Sequence, residues 1–222
     1  MKSAIALLIS LSVFAASADA SPLPSQVKSA AFLHVVAKRG LECERLRPWQ
    51  ATAIKALAHK DMERWSAERR AALQPEIDRL DGETDCDTEA IKVWIDAAER
   101  GFESEMLPPY LVVYRAMAQR ATPPKAFSAV ALRTDYTAAI AAIDAKLAAL
   151  EAAGVKPEGG KPWPEYIART ERFAEEFANA LAEPAANASA EGNNAAKTPP
   201  DLAASYLAQS ALVVEQWLAD TE

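Results

Sequence analysis

Residues 43–86 of this chain read CERLRPWQATAIKALAHKDMERWSAERRAALQPEIDRLDGETDC, with the only two cysteines of the sequence at the two ends. The Cα atoms of a disulfide lie within about 7 Å of each other. One unbroken helix from Pro48 to Leu80 would be about 48 Å long, since a helix rises 1.5 Å per residue. If Cys43 and Cys86 pair, the segment between them must therefore fold back as a helical hairpin.

The position of the turn in this hairpin follows from its polar residues and prolines. Pro48 suits the first position of a helix, and Ser66 suits the N-cap of a second one. These residues predict a turn between His59 and Ser66. Pro75 is the other candidate, because proline tends to interrupt a helix.

The N-terminal residues indicate that the cysteines do pair. Lys2 provides a positive charge, Ile5–Phe14 is a short apolar run, and Ala18-Asp19-Ala20 has the small residues of a cleavage site. This pattern is that of a secretory signal peptide, and the run is shorter than the ~20 residues that span a bilayer. We therefore predict a protein of the periplasm or cell exterior, where a Cys43–Cys86 disulfide is stable.

Composition favours a helical protein and argues against several functions. Hydrophobic residues make up 50% of the chain, with alanine prominent among them, and there are only seven glycines. No β-branched alternation suggests strands. The net charge is −7 with acidic and basic residues interspersed, so we expect no nucleic-acid partner. After the leader, no apolar run is long enough for a membrane span, and neither a metal nor a cofactor is indicated.

Apolar periodicity places the helices. The residues Val27, Ala31 and Val35 mark a helix from Ser25 to about Arg39, which Gly40 should end or bend. Asp87 should cap a helix through Gly101. Apolar seams at 4, 3, 4, 3 spacing predict two further helices that pair as an antiparallel hairpin; they contain Tyr136, Ile140, Ile143, Leu147 and Leu150, and then Tyr166, Thr170, Phe173, Phe177 and Leu181.

The C-terminal part adds a linker and one more helix. An Ala/Asn/Glu-rich stretch is typical of a linker, and Thr198-Pro199-Pro200-Asp201 is a helix start. The predicted fold is therefore all-α: a disulfide-clamped helical bundle, an antiparallel hairpin and a tethered C-terminal helix. The predicted units are a signal peptide (1–20), the clamped domain (21–126), the hairpin (127–183), the linker (184–200) and the last helix (201–222).

A group of aromatic residues is the candidate binding surface. Trp94, Phe102, Tyr110 and Tyr114 lie within a short stretch that also holds several aliphatic residues. Such a stripe at helical spacing is typical of a core, and Trp94 shares a face with Ile91 in this pattern. The alternative is an exposed groove that contacts a ligand or partner.

Glu103 is the candidate for catalysis. The dipeptide Glu103-Ser104 at a helix end resembles the catalytic glutamate of lysozyme-like lytic transglycosylases. That resemblance implies a glycan-cleaving enzyme in which an apolar setting keeps Glu103 protonated as general acid. The Leu-Met-Gln run of that family does not follow it. The other interpretation is a solvated residue at the end of a helix.

Histidine and methionine suggest one more alternative. A helical bundle can hold a b-type haem between the two residue types, and the chain offers His34, His59, Met62, Met106 and Met117. No spacing selects any of them, and no helical zinc or di-iron motif is present. The leading hypothesis is a non-enzymatic, exported binding protein whose partner is another periplasmic or extracellular protein, with its oligomeric state left open.

Overall fold

The computed structural model describes residues 24–59, 62, 65–182 and 200–221. The regular secondary structure of these residues is helical, without a strand. The helices are α1 (Ser25–Glu42), α2 (Pro48–His59), α3 (Ala67–Glu83), α4 (Glu89–Gly101), α5 (Leu107–Ala118), α6 (Lys125–Ser128), α7 (Thr137–Ala152), α8 (Trp163–Ala182) and α9 (Pro200–Thr221). A π-helical segment, Phe102–Met106, joins α4 to α5. The all-α prediction is confirmed. Among the described residues, no helix combines the length and apolarity that a membrane crossing requires.

The segment between the cysteines folds back as the disulfide demands. Cys43 and Cys86 are bonded, with their Cα atoms 5.9 Å apart. The first arm, α2, ends at His59, and the second begins after Ser66, whose hydroxyl accepts a hydrogen bond from the Arg69 backbone N–H at 3.3 Å. Both the pairing and the turn position are confirmed. Pro75 lies inside α3 and makes no turn.

The junction after α1 is tighter than the sequence suggests. Gly40 does not end α1, which continues to Glu42. The chain then turns so closely that a Cβ on Gly40 would lie 2.3 Å from Leu46 Cδ1. The missing side chain therefore makes room for the buried Leu46. Arg45, in the same turn, donates from Nε and Nη2 to Glu99 at 2.7 and 2.8 Å, which ties this turn to α4.

The start of α4 also differs by one residue from the prediction. Thr88, not Asp87, is the N-cap. The Asp85 carboxylate accepts hydrogen bonds from the Asp87 backbone N–H and the Thr88 hydroxyl, both at 3.0 Å. Since Asp85 already orders this turn, the cap shifts to Thr88.

Helices α7 and α8, which the sequence predicted to pair with each other, both pack on α5. α7 and α8 pack mainly on α5 and less on each other. Arg115 of α5 donates to Asp144 of α7 at 2.8 Å and to Glu171 of α8 at 2.5 Å. The seam of α7 is buried at Ile143 and Leu147. The predicted direct pairing of α7 with α8 is therefore wrong: both helices pack on α5 instead, which their seams alone did not reveal.

The last helix corrects one expectation. The linker composition predicted that this helix is tethered rather than part of the N-terminal core. In the structure, α9 packs on α2, α5, α6 and α8. Its buried residues are Ala203, Leu207, Ser210, Ala211, Val213, Val214, Trp217 and Leu218. An undocked α9 would expose this apolar face to water, so packing against the other helices is the more stable arrangement. The predicted signal peptide, and the linker apart from Pro200, lie outside the described residues.

Candidate functional site

A cleft opens where α1 begins and α2 ends. It has a volume of about 210 Å³. Its polar lining consists of Ser25, Gln26 and Ser29. Its apolar lining consists of Ala30, Leu33, Leu57, Ala58 and Trp65. The described residues of the lining are thus mainly apolar, with a polar share from the first turns of α1 and no charged side chain among them.

Local sequence explains how these side chains converge. Ser25, Ser29 and Leu33 are four residues apart, so they form one row along α1. Leu57 and Ala58 occupy the last turn of α2. Trp65 is positioned by the turn before α3, where its backbone N–H donates to the Met62 carbonyl at 3.0 Å. The hairpin that the disulfide imposes therefore brings this tryptophan against α1.

Trp65 is the unusual member of the lining. Its side chain is buried, with 6% of the residue exposed. Its indole Nε1 has no hydrogen-bond acceptor within the part of the chain that the structure describes. Buried polar groups are rarely left without a partner, and each one costs about 1–3 kcal/mol.

A second tryptophan provides an internal comparison. Trp49 on α2 is fully buried, and its Nε1 also lacks an acceptor among the described residues. Its ring lies 6.3 Å from that of Phe102 and does not line the cleft. Trp49 is thus a core residue with the same unsatisfied donor, whereas Trp65 is a residue of the cleft lining.

The predicted aromatic surface is corrected by burial. Phe102, Tyr110 and Tyr114 are 6%, 7% and 0% exposed, so they cannot line an exposed groove. Trp94 is partly buried and meets Phe32 edge to face at 6.1 Å. The core interpretation of this stripe accounts for all four residues. Large side chains are needed there because alanine supplies little bulk elsewhere.

The Tyr114 hydroxyl takes part in a network rather than in recognition. It donates to Glu215 Oε1 of α9, while Arg133 Nε donates to Glu215 Oε2 at 2.9 Å. Burial and the hydrogen bond to Glu215 both raise the pKa of Tyr114. The network joins α5, α9 and the segment before α7.

Glu103 has surroundings unlike those of a general acid. It lies in the π-helical segment, and its side chain is 49% exposed. Lys146 Nζ of α7 donates to Glu103 Oε2 at 2.6 Å. A general acid kept protonated needs an apolar setting, whereas Glu103 is half exposed and pairs with a lysine. The geometry therefore favours the interpretation of Glu103 as a solvated, ion-paired residue.

The haem alternative gains no geometric support. His34 is partly buried on α1, His59 ends α2, and Met117 is fully buried in α5. Within the described residues, no group of three or more His, Cys, Asp or Glu side chains could hold a metal ion. His34 is not among the described residues that line the cleft.

Two features escaped the sequence analysis. One is Trp65 itself, whose position directly before the cap Ser66 could have signalled a side chain fixed by a turn. The other is Glu76 of α3, which is 4% exposed and accepts from Arg79 Nε and Nη2 at 2.9 and 2.8 Å. These hydrogen bonds from Arg79 lower the pKa of Glu76. Its i, i+3 spacing to Arg79 is visible in the sequence, but its burial is not.

No protein-family model, curated protein or solved structure matches this chain.

Proposed function

We propose that this chain is an exported, non-enzymatic binding protein that holds a small molecule in the cleft between α1, α2 and Trp65. The observation that carries the proposal is a recess of about 210 Å³ that Trp65, Leu33 and Leu57 line together with polar residues of α1. A small ligand suits this geometry better than the protein partner expected from the sequence. The aromatic residues proposed for such a partner lie mostly in the core.

The chemistry of the lining supports binding over catalysis. Among the described residues, the walls consist of serine, glutamine, alanine, leucine and tryptophan. None of these supplies a carboxylate, imidazole, amine or thiol for general acid–base work. Glu103, the one acid considered for catalysis, is paired with Lys146 instead. A glycan-cleaving function thus has no supporting observation.

The proposed location is the periplasm or the cell exterior. The leader pattern at residues 1–20 supports export, and the Cys43–Cys86 bond is of the kind that oxidising compartments sustain. N-terminal sequencing of material recovered outside the cytoplasm should begin at Ser21. Recovery of a chain that still begins at Met1 would contradict export with processing.

The binding proposal is tested by filling the cleft. We expect acetophenone, a single-ring ketone, to raise the melting temperature of the wild type. At ten times its Kd, the stabilisation is about 1.4 kcal/mol, or roughly 3–6 °C for a chain of this size. Ala58→Leu adds bulk to the recess and should abolish the ligand-dependent shift.

The matched control is Ala141→Leu, the same change at an exposed position of α7. It should keep the full ligand-dependent shift. If the wild type shows no shift with acetophenone, or if Ala58→Leu keeps it, the cleft is not a binding site and the proposed function is wrong.

A further inference from the structure

We infer that the ligand of this cleft carries a hydrogen-bond acceptor oxygen, which lies between the Gln26 amide and the Ser29 hydroxyl, on an apolar body of about one ring. This inference rests on the proposed function and names the class of ligand together with the two residues that select it. Three observations lead to it: the contact of Gln26 with Arg69, the state of the Ser29 hydroxyl, and the order of polar and apolar residues along α1.

Arg69 fixes the orientation of the Gln26 amide. Arg69 Nη1, in the first turn of α3, donates to Gln26 Oε1 at 3.2 Å. A guanidinium only donates, so this contact requires the oxygen of the amide rather than its nitrogen. The other end of the amide, Nε2, carries two N–H donors and has no acceptor among the described residues. Gln26, a residue of the lining, therefore offers the cleft a donor.

The Ser29 hydroxyl is a second donor of the lining. A serine or threonine inside a helix commonly bonds to the carbonyl four residues earlier, as Thr170 and Ser210 do at 2.9 and 2.8 Å. The Ser29 hydroxyl does not make this bond, and no other described residue shares a hydrogen bond with it. Its O–H is therefore available to a ligand in the cleft that it lines.

Both donors are accessible from the cleft. Gln26 is exposed and Ser29 is half-buried, so a ligand reaches them by displacing water. They are three residues apart on α1, which makes them neighbours on the helix surface. One carbonyl oxygen, which has two lone pairs, accepts from both.

The rest of the lining sets the body of the ligand. Leu33 follows Ser29 by one turn, about 6 Å along the helix axis, and Leu57 of α2 belongs to the same lining. An apolar cavity of about 150 Å³ in another protein binds benzene, whereas drug-sized ligands occupy pockets of roughly 300 Å³ or more. The cleft, at about 210 Å³, lies between these values. It suits one ring beside the leucines with a short polar substituent directed toward Ser29.

The test compares acetophenone with ethylbenzene, which has nearly the same shape and lacks the acceptor oxygen. The Kd of each is measured for the wild type, for Gln26→Met, which removes the amide and keeps an unbranched side chain, and for Ser29→Ala. In each variant the ratio of the ethylbenzene Kd to the acetophenone Kd should fall about three- to tenfold, as expected for loss of one neutral hydrogen bond. Changes in apolar contact affect both ligands alike, so they largely cancel from this ratio.

Gln74→Met is the matched control. Gln74 is exposed on α3, its Nε2 donates to Asp78 Oδ1 at 2.7 Å, and it is not a residue of the lining. The ratio should therefore keep its wild-type value in this variant. An unchanged ratio in Gln26→Met or in Ser29→Ala, or an equal fall in Gln74→Met, would overturn the inference. In each of these cases acetophenone would still bind the wild type, which separates this failure from failure of the proposed function.

A measurement on the wild type tests the same contact without a change in the cleft. The side-chain amide resonances of Gln26 in ¹⁵N-labelled protein are assigned by their loss in Gln26→Met. They should move with acetophenone and move less with ethylbenzene, while those of Gln74 stay in place with both. If the two ligands shift the Gln26 resonances alike, the amide does not donate to the ketone and the inference is wrong.

Discussion

Tyr114 on α5 and Glu215 on α9 are joined by a hydrogen bond of 2.5 Å across 101 positions of sequence. The tyrosine is fully buried, and its acceptor is a carboxylate that Arg133 also contacts. The bond is a specific polar link between two helices that are far apart in the sequence. A second such link joins α9 to α2, where the Thr52 hydroxyl donates to Gln216 Oε1 at 2.8 Å.

We expect Tyr114→Phe to lower the free energy of unfolding by about 1.5–3 kcal/mol, the range for a hydrogen bond to a charged group. The matched control is Tyr136→Phe, whose hydroxyl donates to the Ala131 carbonyl at 3.1 Å, a neutral acceptor. Its loss should be smaller, near 1 kcal/mol. Denaturant unfolding of both variants measures the difference, and equal losses would contradict a special role for Glu215.

The same bond predicts a weakening of the fold at alkaline pH. Burial and Glu215 raise the pKa of Tyr114 above its ordinary value of 10.0. Above that value the unfolded chain loses the tyrosine proton while the folded chain keeps it, so stability is complete below pH 10 and declines as pH rises. The contribution is up to about 1.4 kcal/mol per pH unit.

Tyr114→Phe tests this assignment. The variant should decline less steeply than the wild type above pH 10, although Tyr110, whose pKa burial also raises, remains in both proteins. Free energies of unfolding measured across this pH range provide the comparison. Parallel curves for the two proteins would show that Tyr114 does not contribute.

The Cys43–Cys86 bond should contribute a large part of the stability. It closes a loop with a sequence separation of 43, which corresponds to about 4 kcal/mol in the chain-entropy model. A Cys43→Ser, Cys86→Ser double variant should lose stability of this order in denaturant unfolding. Thiol titration of the unfolded, unreduced wild type should find no free thiol, and detection of two would contradict the bond.

Gly40 should be intolerant of a side chain. Gly40→Ala places a Cβ within 2.5 Å of both Cδ1 and Cγ of Leu46, so we expect a loss of about 1–3 kcal/mol from overpacking. Gly82→Ala is the control, since no atom lies within 4 Å of its Cβ and the residue is in α3. That variant should be neutral or more stable by up to about 1 kcal/mol, because alanine favours helix. Thermal unfolding distinguishes the two, and similar effects would contradict the close packing of Leu46.

Glu103 should be dispensable. Glu103→Gln removes an exposed ion pair with Lys146, and such pairs contribute about 0–1 kcal/mol. The variant should therefore unfold almost like the wild type. Neither protein should clear a peptidoglycan suspension in a turbidity assay. Cleavage by the wild type that Glu103→Gln abolishes would instead establish the enzyme interpretation.

Local rules predicted much of the fold. Apolar periodicity identified the inward face of α1, where Val27, Ala31 and Val35 are fully buried. The disulfide, combined with the rise of a helix, required the turn that the structure places between His59 and Ser66. The buried face of α1 follows from helical geometry over a few turns. The turn position follows from one covalent bond between two cysteines. A sequence contains the information for each.

Only the tertiary structure decided which faces meet. The sequence showed that Tyr114 shares a helical face with apolar residues, but a buried stripe and an exposed groove have the same periodicity. The choice depended on α9, which covers α5 from a distant part of the chain. No periodic pattern indicated a site at Trp65, yet the turn between the two arms of the disulfide hairpin places this residue beside the first turns of α1. The sequence determines which face of each helix is apolar and can be buried. Because the hydrophobic effect is non-directional, which helix covers that face depends on how all the helices pack together.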